Sequence, residues 1–149
     1  MLSTVEKVIL LQNVGAFRNL TTEQISYLAA IAEEVSVAAN EVIYELGDAS
    51  DSLYIVLNGR VRLHRGDEDL SGASANEPFG TWALFDSTPR VTSATALEDT
   101  CLLCVDREDF LELLSDHVRI TEAVMGAIVG RLRGLLDRVG SEITTKART

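Results

Sequence analysis

The chain opens with two short stretches whose apolar residues recur at helical spacing. Ser3, followed three residues later by Glu6, forms a capping box and predicts that a helix begins there. Thr21 and Gln24 form a second capping box and predict a second helix. The apolar positions of the two helices are Val5, Val8, Ile9 and Leu11, and then Ile25, Leu28, Ile31 and Ala32.

Between residues 35 and 105 the pattern changes to short runs of Val, Ile, Leu and Thr separated by turn signals, which is typical of a β-sandwich or barrel. The turn signals are Ala39-Asn40, Gly47-Asp48, Asn58-Gly59, Gly66-Asp67 and Glu98-Asp99. Asn58-Gly59 favours a type I′ turn, because both residues tolerate a positive φ. This turn predicts an antiparallel hairpin of residues 53–57 with residues 61–65.

Two further helices are predicted after the strands. Asp106 is the expected start of the first, since Glu108 and Asp109 in its first turn complement the helix dipole. Its expected buried side chains are Phe110, Leu111, Leu113 and Leu114. A longer helix is predicted from about residue 116 to residue 139, with a heptad seam that suits either self-association or packing on the strands. The seam consists of Val118, Thr121, Met125, Ile128, Leu132, Leu135 and Val139.

Together these elements predict a mainly β fold with flanking helices, in which an antiparallel, jelly-roll-like β-roll has N-terminal helices and two C-terminal helices. The predicted single domain spans residues 1–140, with N-terminal helices at 1–34, the β-roll at 35–105 and C-terminal helices at 106–140. Residues 141–149 are mostly polar and are expected to form a tail. A length of 149 residues lets one domain bury a core without a metal or a disulfide.

The charge balance limits the expected partners. The chain has 13 basic and 23 acidic residues and a net charge of −10, so a nucleic-acid backbone is repelled unless a local basic patch exists. The candidate patch is Arg131, Arg133 and Arg138, which we interpret as a solvated helix face because Asp137 and Glu142 lie beside it. No signal peptide or membrane-spanning window is recognisable. We therefore expect a soluble, cytoplasmic chain that binds neither DNA nor a membrane.

Residue types associated with catalysis are sparse. The two histidines, His64 and His117, lie on separate predicted elements and do not form the clustered set that a metal enzyme needs. Cys101 and Cys104 form a lone CxxC in a β-like run, where an offset of three residues points the side chains to opposite faces. Two free thiols are therefore expected. We find no Ser-His-Asp set with a glycine elbow and no P-loop, and expect no catalytic residue, no metal site and no enzyme activity.

The stretch from Phe79 to Thr92 carries the most informative motif. Gly80 precedes a short helix-compatible run, whose free N–H groups can form an anion-binding nest. Pro89 and Arg90 then lead into a β-branched strand, and an arginine at that point can donate two charge-assisted hydrogen bonds to phosphate oxygens. Taken alone, the motif is compatible with a site for a small anion, but a surface loop with an ordinary salt-bridging arginine explains it better.

This motif resembles the phosphate-binding cassette of the cyclic-nucleotide-binding domain family. The usual form of that cassette is Phe-Gly-Glu, then Ala-Leu, then Pro-Arg, then two small residues and Thr or Ser. The resemblance extends upstream to Gly47-Asp48, the run from Asp51 to Val56, Gly59 and Val61, and downstream from Leu97-Glu98-Asp99 to Phe110. It covers roughly residues 12–139.

The resemblance implies a β-roll whose cassette holds the cyclic phosphate and the ribose, and a final helix that closes over the base and often forms a dimer contact. It implies that Arg90 binds the phosphate, that Gly80 allows a close backbone approach, and that Thr92 or Ser93 adds a hydroxyl. The implied ligand-binding residues are Phe79, Gly80, Thr81, Ala83, Arg90, Val91 and Thr92.

Three features depart from the family pattern. Thr81 stands where the family carries a glutamate that accepts a hydrogen bond from the ribose 2′-hydroxyl, and threonine is too short to replace that carboxylate. Val91 stands where a small residue usually follows the arginine, and is expected to narrow the floor of the pocket. The loop from Leu70 to Pro78 lacks the usual glycine pair, although Asn76 can adopt the left-handed conformation that a glycine would provide.

The resemblance implies a regulatory module that senses a cyclic nucleotide, cyclic AMP or cyclic GMP, and signals through its C-terminal helix without a resident cofactor. The alternative is a degenerate domain that binds weakly, binds another small anion or binds nothing, and acts as an interaction or dimerisation scaffold. The C-terminal helix is expected to form a homodimer. Regulators of the catabolite-activator type add a helix-turn-helix, for which the last ten residues are too few, so we expect a free-standing sensor or part of a larger protein.

Overall fold

The computed structural model describes the backbone of residues 1–148 and the side chains of residues 1–141. Both N-terminal helices are present: α1 spans Thr4–Leu11 and α2 spans Thr22–Ile31. The predicted capping boxes form in both. Ser3 Oγ, for example, accepts a hydrogen bond from the N–H of Glu6 at 3.2 Å. The two helix starts were therefore predictable from local sequence alone.

Eight strands follow in two four-stranded sheets, and every ladder is antiparallel. They are β1 (Glu33–Val37), β2 (Val42–Tyr44), β3 (Ser52–Asn58), β4 (Val61–Arg65), β5 (Glu68–Ala73), β6 (Pro78–Phe79), β7 (Ser93–Ala96) and β8 (Thr100–Asp106). The first sheet has the strand order β1-β8-β3-β6 and the second has β2-β7-β4-β5. The predicted fold class, a β-roll between N-terminal and C-terminal helices, is confirmed.

Strand β3 of the first sheet is buried on both faces. Leu53 and Ile55 of β3 pack toward the helices, in a core that also contains Phe17 and Phe110. Val56 of the same strand lies in a smaller core between the two sheets. Burial on both faces explains why β3 contains a continuous apolar run instead of an alternating one.

The hairpin predicted across Asn58-Gly59 is wrong. Strand β3 pairs with β6 and β8, whereas β4 pairs with β5 and β7, so the turn carries the chain from one sheet to the other. Asn58 stays in β3 opposite Cys101 at a register shift, and Gly59 has a φ of 96°. A Cβ atom on Gly59 would overlap Thr100. The glycine is therefore required for a close approach between strands rather than for a type I′ turn.

Helix α3 spans Arg107–Asp116 and begins as predicted, because the Asp106 carboxylate accepts hydrogen bonds from the N–H groups of Glu108 at 2.8 Å and Asp109 at 3.3 Å. Phe110 is fully buried as expected. Leu111, which was expected on the same buried side, is exposed. The next residue of a helix is rotated by roughly 100°, and that rotation carries Leu111 away from the core.

Helix α4 spans Val118–Arg148 and continues through the segment predicted to be a tail. The helix end expected near residue 139 is therefore wrong. The polar composition of the segment was a poor guide, because charged residues such as Lys and Arg have high helix propensity. Proline, which would break a helix, does not occur after Pro89.

Only the first half of α4 packs on the domain. Ile120, Val124 and Ala127 are buried there. From residue 129 to residue 141 every described side chain is exposed, including Leu132 and Leu135 of the heptad seam. Although α4 is 31 residues long, neither it nor any other described helix has an apolar stretch sufficient to cross a lipid bilayer.

Candidate functional site

The cassette, residues 79–92, begins where strand β6 ends. Gly80 follows with a φ of 70°, in the left-handed region that residues with a Cβ atom rarely adopt. It caps a one-turn 3₁₀ helix, Thr81–Leu84, which we call the cassette helix. The glycine is thus required by the backbone conformation at the point where the motif predicted a close approach.

Two backbone hydrogen bonds fix Arg90 against the loop between β2 and β3. The N–H of Arg90 donates to the carbonyl of Asp48 at 2.8 Å, and the Arg90 carbonyl accepts from the N–H of Gly47 at 2.8 Å. Pro89 precedes this residue and has a restricted φ of its own. The fold therefore determines the direction in which the arginine side chain leaves the backbone.

The Arg90 guanidinium lies inside the domain, and only 7% of the residue is exposed. Nη2 donates to the carbonyl of Ser52 at 2.8 Å and lies 4.0 Å from Oδ1 of Asp51. Cζ lies 4.0 Å from the centre of the Tyr44 ring, which is a cation–π contact. Nε is buried and has no hydrogen-bond acceptor within the described part of the chain. A buried donor without an acceptor costs about 1–3 kcal/mol, so an anion at this atom would stabilise the site.

Three aromatic rings form a cluster, and two of them, Tyr44 and Tyr54, lie within cation–π range of the arginine. Tyr54 and Phe79 stack with ring centres 5.2 Å apart, and the Tyr44 ring lies 6.2 Å from each of them. Burial raises the pKa of Tyr44, and the positive charge of Arg90 acts in the opposite direction. The net direction is upward, so the Tyr44 hydroxyl is neutral at neutral pH and does not compensate the guanidinium charge.

Arg90 borders a cleft of about 300 Å³. Five of the seven residues expected to bind a ligand line this cleft, namely Gly80, Ala83, Arg90, Val91 and Thr92. The lining combines a mainly apolar surface with one buried cation, Arg90, and one carboxylate, Asp86. Such a combination suits a small anion that also presents apolar surface.

Phe79 and Thr81 do not line the cleft. Phe79 is buried in the core between the sheets, because the side chain at the end of β6 points inward. Thr81 lines a second cavity of about 330 Å³ between the cassette helix and α4, which we call the α4 cavity. Thr81 therefore lies at the α4 cavity and not at the cleft that Arg90 borders.

The remaining cassette positions also differ in detail from the expectation. Val91 was expected to narrow the pocket floor, but it is 62% exposed and lies at the rim. Of the two candidate hydroxyls, that of Thr92 belongs to a residue that lines the cleft. The Ser93 hydroxyl instead accepts from the N–H of Leu46 at 2.9 Å. Of these two residues, Thr92 is thus the one that lies at the cleft.

Six residues of the cleft lining were not among those expected to bind a ligand: Tyr44, Ser50, Trp82, Asp86, Thr88 and Pro89. Four of them lie within the cassette itself. Because the cassette is a compact turn, its neighbouring residues could have been predicted to line the same cleft. Tyr44 and Ser50 lie far upstream, and nothing in their local sequence marks them. Their position depends on the antiparallel pairing of β2 with β7, which a local pattern does not reveal.

The remaining candidate groups lie away from the cleft lining. Within the described residues, no group of three or more His, Cys, Asp and Glu side chains could hold a metal ion. Cys101 and Cys104 are free thiols, as expected, and both are partly buried. Burial raises the pKa of the Cys104 thiol, which lowers its thiolate fraction and hence its reactivity at neutral pH.

Comparison with known proteins adds two curated relatives. The chain is 26% identical over 141 residues to the CRP-like cAMP-activated global transcriptional regulator of Mycobacterium tuberculosis H37Rv, a match that covers 91% of this chain and 63% of that protein. It is 31% identical over 135 residues to lysophospholipase NTE1 of Chaetomium globosum, covering 87% of this chain and 9% of that protein. The chain therefore spans less than two thirds of the length of either relative.

A solved structure and a family model both match this chain. The N-terminal domain of a transcriptional regulator from Streptomyces coelicolor A3(2) superposes with a TM-score of 0.80 at 32% identity, covering 87% of this chain and 94% of that one. Residues 34–117, more than half of the chain, match the family described as "Cyclic nucleotide-binding domain". This chain belongs to the cyclic nucleotide-binding domain family.

Proposed function

We propose that this domain is a regulatory sensor that binds a cyclic nucleotide in the cleft, with Arg90 holding the phosphate. The observation that carries the proposal is the buried guanidinium, whose Nε has no acceptor within the described part of the chain. Gly80 lies directly against Nη1 of the same side chain, where any larger residue would interfere. A phosphate oxygen at this position satisfies the donor and neutralises the charge.

The charges around the cleft favour a cyclic phosphodiester over a phosphomonoester. Asp86 lines the cleft, and the Asp51 carboxylate lies 4.0 Å from the guanidinium. Hydrogen bonds from Thr88 lower the pKa of Asp86, which keeps that carboxylate ionised. Two nearby carboxylates repel a doubly charged phosphate more strongly than a singly charged cyclic one. The apolar lining then favours a phosphate that carries a nucleoside over inorganic phosphate.

Two features indicate an affinity below that of the usual cassette. The Ser52 carbonyl and Asp51 already engage Nη2 of Arg90, so an incoming phosphate competes with them. Thr81 supplies no carboxylate for the ribose. Hydrogen bonds to a charged group contribute about 1.5–3 kcal/mol each, and each 1.4 kcal/mol is about tenfold in affinity. We expect binding weaker by roughly one to two orders of magnitude than in a cassette with the glutamate.

A second function, the pairing of two chains through α4, is favoured by the exposed half of that helix. Leu132 and Leu135 are 55% and 47% exposed, and they belong to one seam. An isolated helix gains little stability in water without a packed apolar face, so a second copy of α4 is the occupant that suits this seam. In this proposal α4 both pairs two chains and passes on the state of the cleft, and the chain is a cytoplasmic, non-catalytic sensor.

The proposal is tested by calorimetric titration of the chain with cyclic AMP, cyclic GMP, 5′-AMP and inorganic phosphate. We expect saturable binding of a cyclic nucleotide and weaker binding of 5′-AMP. Arg90→Lys keeps the charge but removes the guanidinium fork, and should lower the affinity by about tenfold or more.

The matched control is Arg60→Lys, which alters an exposed arginine paired with Glu98 outside the cleft. It should leave the affinity unchanged. The absence of cyclic-nucleotide binding at millimolar concentration, or binding that Arg90→Lys does not alter, contradicts the proposal.

A further inference from the structure

The α4 cavity is distinct from the cleft and has a volume of about 330 Å³. The short 3₁₀ helix Gly15–Phe17, the cassette helix and α4 form its walls. The large apolar side chains in its lining are Trp82, Ile128, Leu132 and Leu135. Trp82, Leu132 and Leu135 are each about half exposed. Apolar surface in the cavity is therefore in contact with water, and an apolar ligand that covers it gains free energy.

The charged side chains in the lining are all positive. Arg131 and Arg138 line the α4 cavity, and among the described residues no aspartate or glutamate does, although the chain has 23 acidic and 13 basic residues. The cleft differs in this respect, because Asp86 lines it. Neither Arg131 nor Arg138 forms an ion pair with a described side chain. The α4 cavity therefore complements a negative charge.

Arg131 lies between two walls of the cavity. Its Cζ atom is 5.5 Å from the centre of the Trp82 ring, within the range of a cation–π contact. Its Nη1 atom is 3.5 Å from the position that a Cβ atom on Gly15 would occupy. Arg138 follows two helical turns later, roughly 10.5 Å along the helix axis, a separation that two arginine side chains can close around one carboxylate. The two guanidinium groups are thus available to a single anion.

A second copy of α4 does not neutralise this charge. In the heptad seam, Arg131 directly precedes Leu132, and a charged residue at that position normally pairs with a flanking position of the other helix. In a parallel pair the residue that Arg131 faces is Leu136 of the other copy, which is apolar. Pairing through the seam therefore supplies no counter-ion to Arg131, whereas a separate anion does.

We propose that the α4 cavity binds a free medium-chain carboxylate. The acyl chain lies against Trp82, Leu132 and Leu135, and the carboxylate binds Arg131 and Arg138. The cavity volume of about 330 Å³ lies near the lower end of the usual range for ligand pockets, about 300–1,000 Å³, so the cavity suits one acyl chain and not the two of a membrane lipid. Arginine is well matched to a carboxylate because it donates two parallel hydrogen bonds. This site is independent of cyclic-nucleotide binding and adds a second class of ligand.

Calorimetric titration with hexanoate, octanoate and decanoate, each below the concentration at which it forms micelles, tests the apolar part of the site. The affinity should rise by about fourfold for each added CH₂ group. The uncharged analogue 1-octanol should bind about three- to tenfold more weakly than octanoate. The emission of Trp82, the single tryptophan, should shift to shorter wavelength as the acyl chain displaces water.

Matched variants of α4 test the two parts separately. Arg131→Met and Arg138→Met should each lower the octanoate affinity by about two- to fivefold and leave the 1-octanol affinity unchanged. Arg133→Met, at an exposed arginine outside the lining, is the control and should have no effect. Leu135→Ala should lower the affinity for both ligands by about fivefold. Leu136→Ala, at the neighbouring exposed leucine outside the lining, should lower neither.

The outcomes separate this inference from the proposed function. The absence of saturable binding of all three carboxylates overturns it. Octanoate binding that neither Arg131→Met nor Arg138→Met weakens indicates adsorption to exposed apolar surface and also overturns it. Arg90→Lys should not alter octanoate binding, and a loss of binding in that variant would place the carboxylate in the cleft instead. Octanoate binding without cyclic-nucleotide binding supports the α4 site and contradicts the proposed function alone.

Discussion

A Cβ atom added to Gly80 would lie 2.6 Å from Nη1 of Arg90. Gly80 also has a φ of 70°, which a residue with a side chain rarely adopts. The two residues are matched, because the missing side chain of one makes room for the buried guanidinium of the other. Any residue that replaces Gly80 must therefore move the arginine, the backbone or both.

Gly80→Ala is expected to displace the guanidinium and to lower cyclic-nucleotide affinity by about tenfold or more. It should also destabilise the fold by about 1–3 kcal/mol, because alanine is strained at a positive φ. Gly66→Ala is the matched control, since Gly66 has a φ of 56° with open space around its Cβ position. The control should lose stability but keep its affinity. Equal losses of affinity in the two variants would mean that the overlap with Arg90 is unimportant.

Stability at alkaline pH should depend on Tyr44. Its pKa is raised above the ordinary value of 10.0, chiefly by burial, so the folded state holds this proton more tightly than the unfolded state. The contribution is fully present below about pH 10 and is lost as the pH rises through the folded pKa. Tyr44→Phe cannot ionise and should lose less stability between about pH 9 and pH 11 than the parent chain does.

Urea denaturation at several pH values measures this difference. Tyr27→Phe, at an exposed ring, is the control and should follow the parent chain. A pH profile of Tyr44→Phe that coincides with the parent profile contradicts the role assigned to burial of the tyrosine.

The range of each interaction decided what the sequence could predict. Ser3 and Asp106 were recognised as helix caps because each contacts a backbone N–H within three residues. The turn at Asn58-Gly59 was misassigned because its geometry is set by Thr100, which is distant in sequence. Local turn propensity carries no information on which sheet the next strand joins.

In the candidate site too, features set by neighbouring residues were predicted, and features set by distant residues were not. Gly80 and Arg90 were found because a motif of neighbouring residues carries them. The partners that orient the arginine, Tyr44, Asp51 and Ser52, arrive from other strands and loops. Asp51 and Ser52 belong to the run that carries the family resemblance, but nothing in that run indicates that they contact Arg90. The position of Thr81 at the α4 cavity follows from tertiary packing, which a comparison of residue types does not show.

The cap of α3 should contribute measurably to stability. Asp106→Ala removes the acceptor for two N–H groups and should cost about 1 kcal/mol of the free energy of unfolding. Asp116→Ala, at the other end of the same helix, is the control and should be neutral or slightly stabilising, since a carboxylate is unfavourable at a helix C-terminus. A larger loss for Asp116→Ala than for Asp106→Ala would contradict the capping argument.

Duplex DNA should not bind to this chain. The net charge is −10, and Arg131, the arginine of the candidate basic patch that contacts Trp82, lies at the α4 cavity. Non-specific binding is strongest at low salt, so a gel-shift assay with random duplex under that condition is the most sensitive test. Retarded DNA at micromolar protein concentration would show that a basic surface outweighs the overall charge.

Replacement of Leu132 and Leu135 together by glutamate should yield a folded monomer. Both leucines are about half exposed in a single chain, so charged residues there disturb little of the domain itself. In a paired α4 the same positions are buried, where each leucine contributes about 1.5–3 kcal/mol and a carboxylate opposes association. Sedimentation velocity should therefore show a dimer for the parent chain and a monomer for the double variant. Leu111→Glu, at an exposed leucine of α3 outside the seam, is the control and should remain dimeric. A parent chain that is monomeric at high concentration would contradict pairing through α4, as would a double variant that still sediments as a dimer.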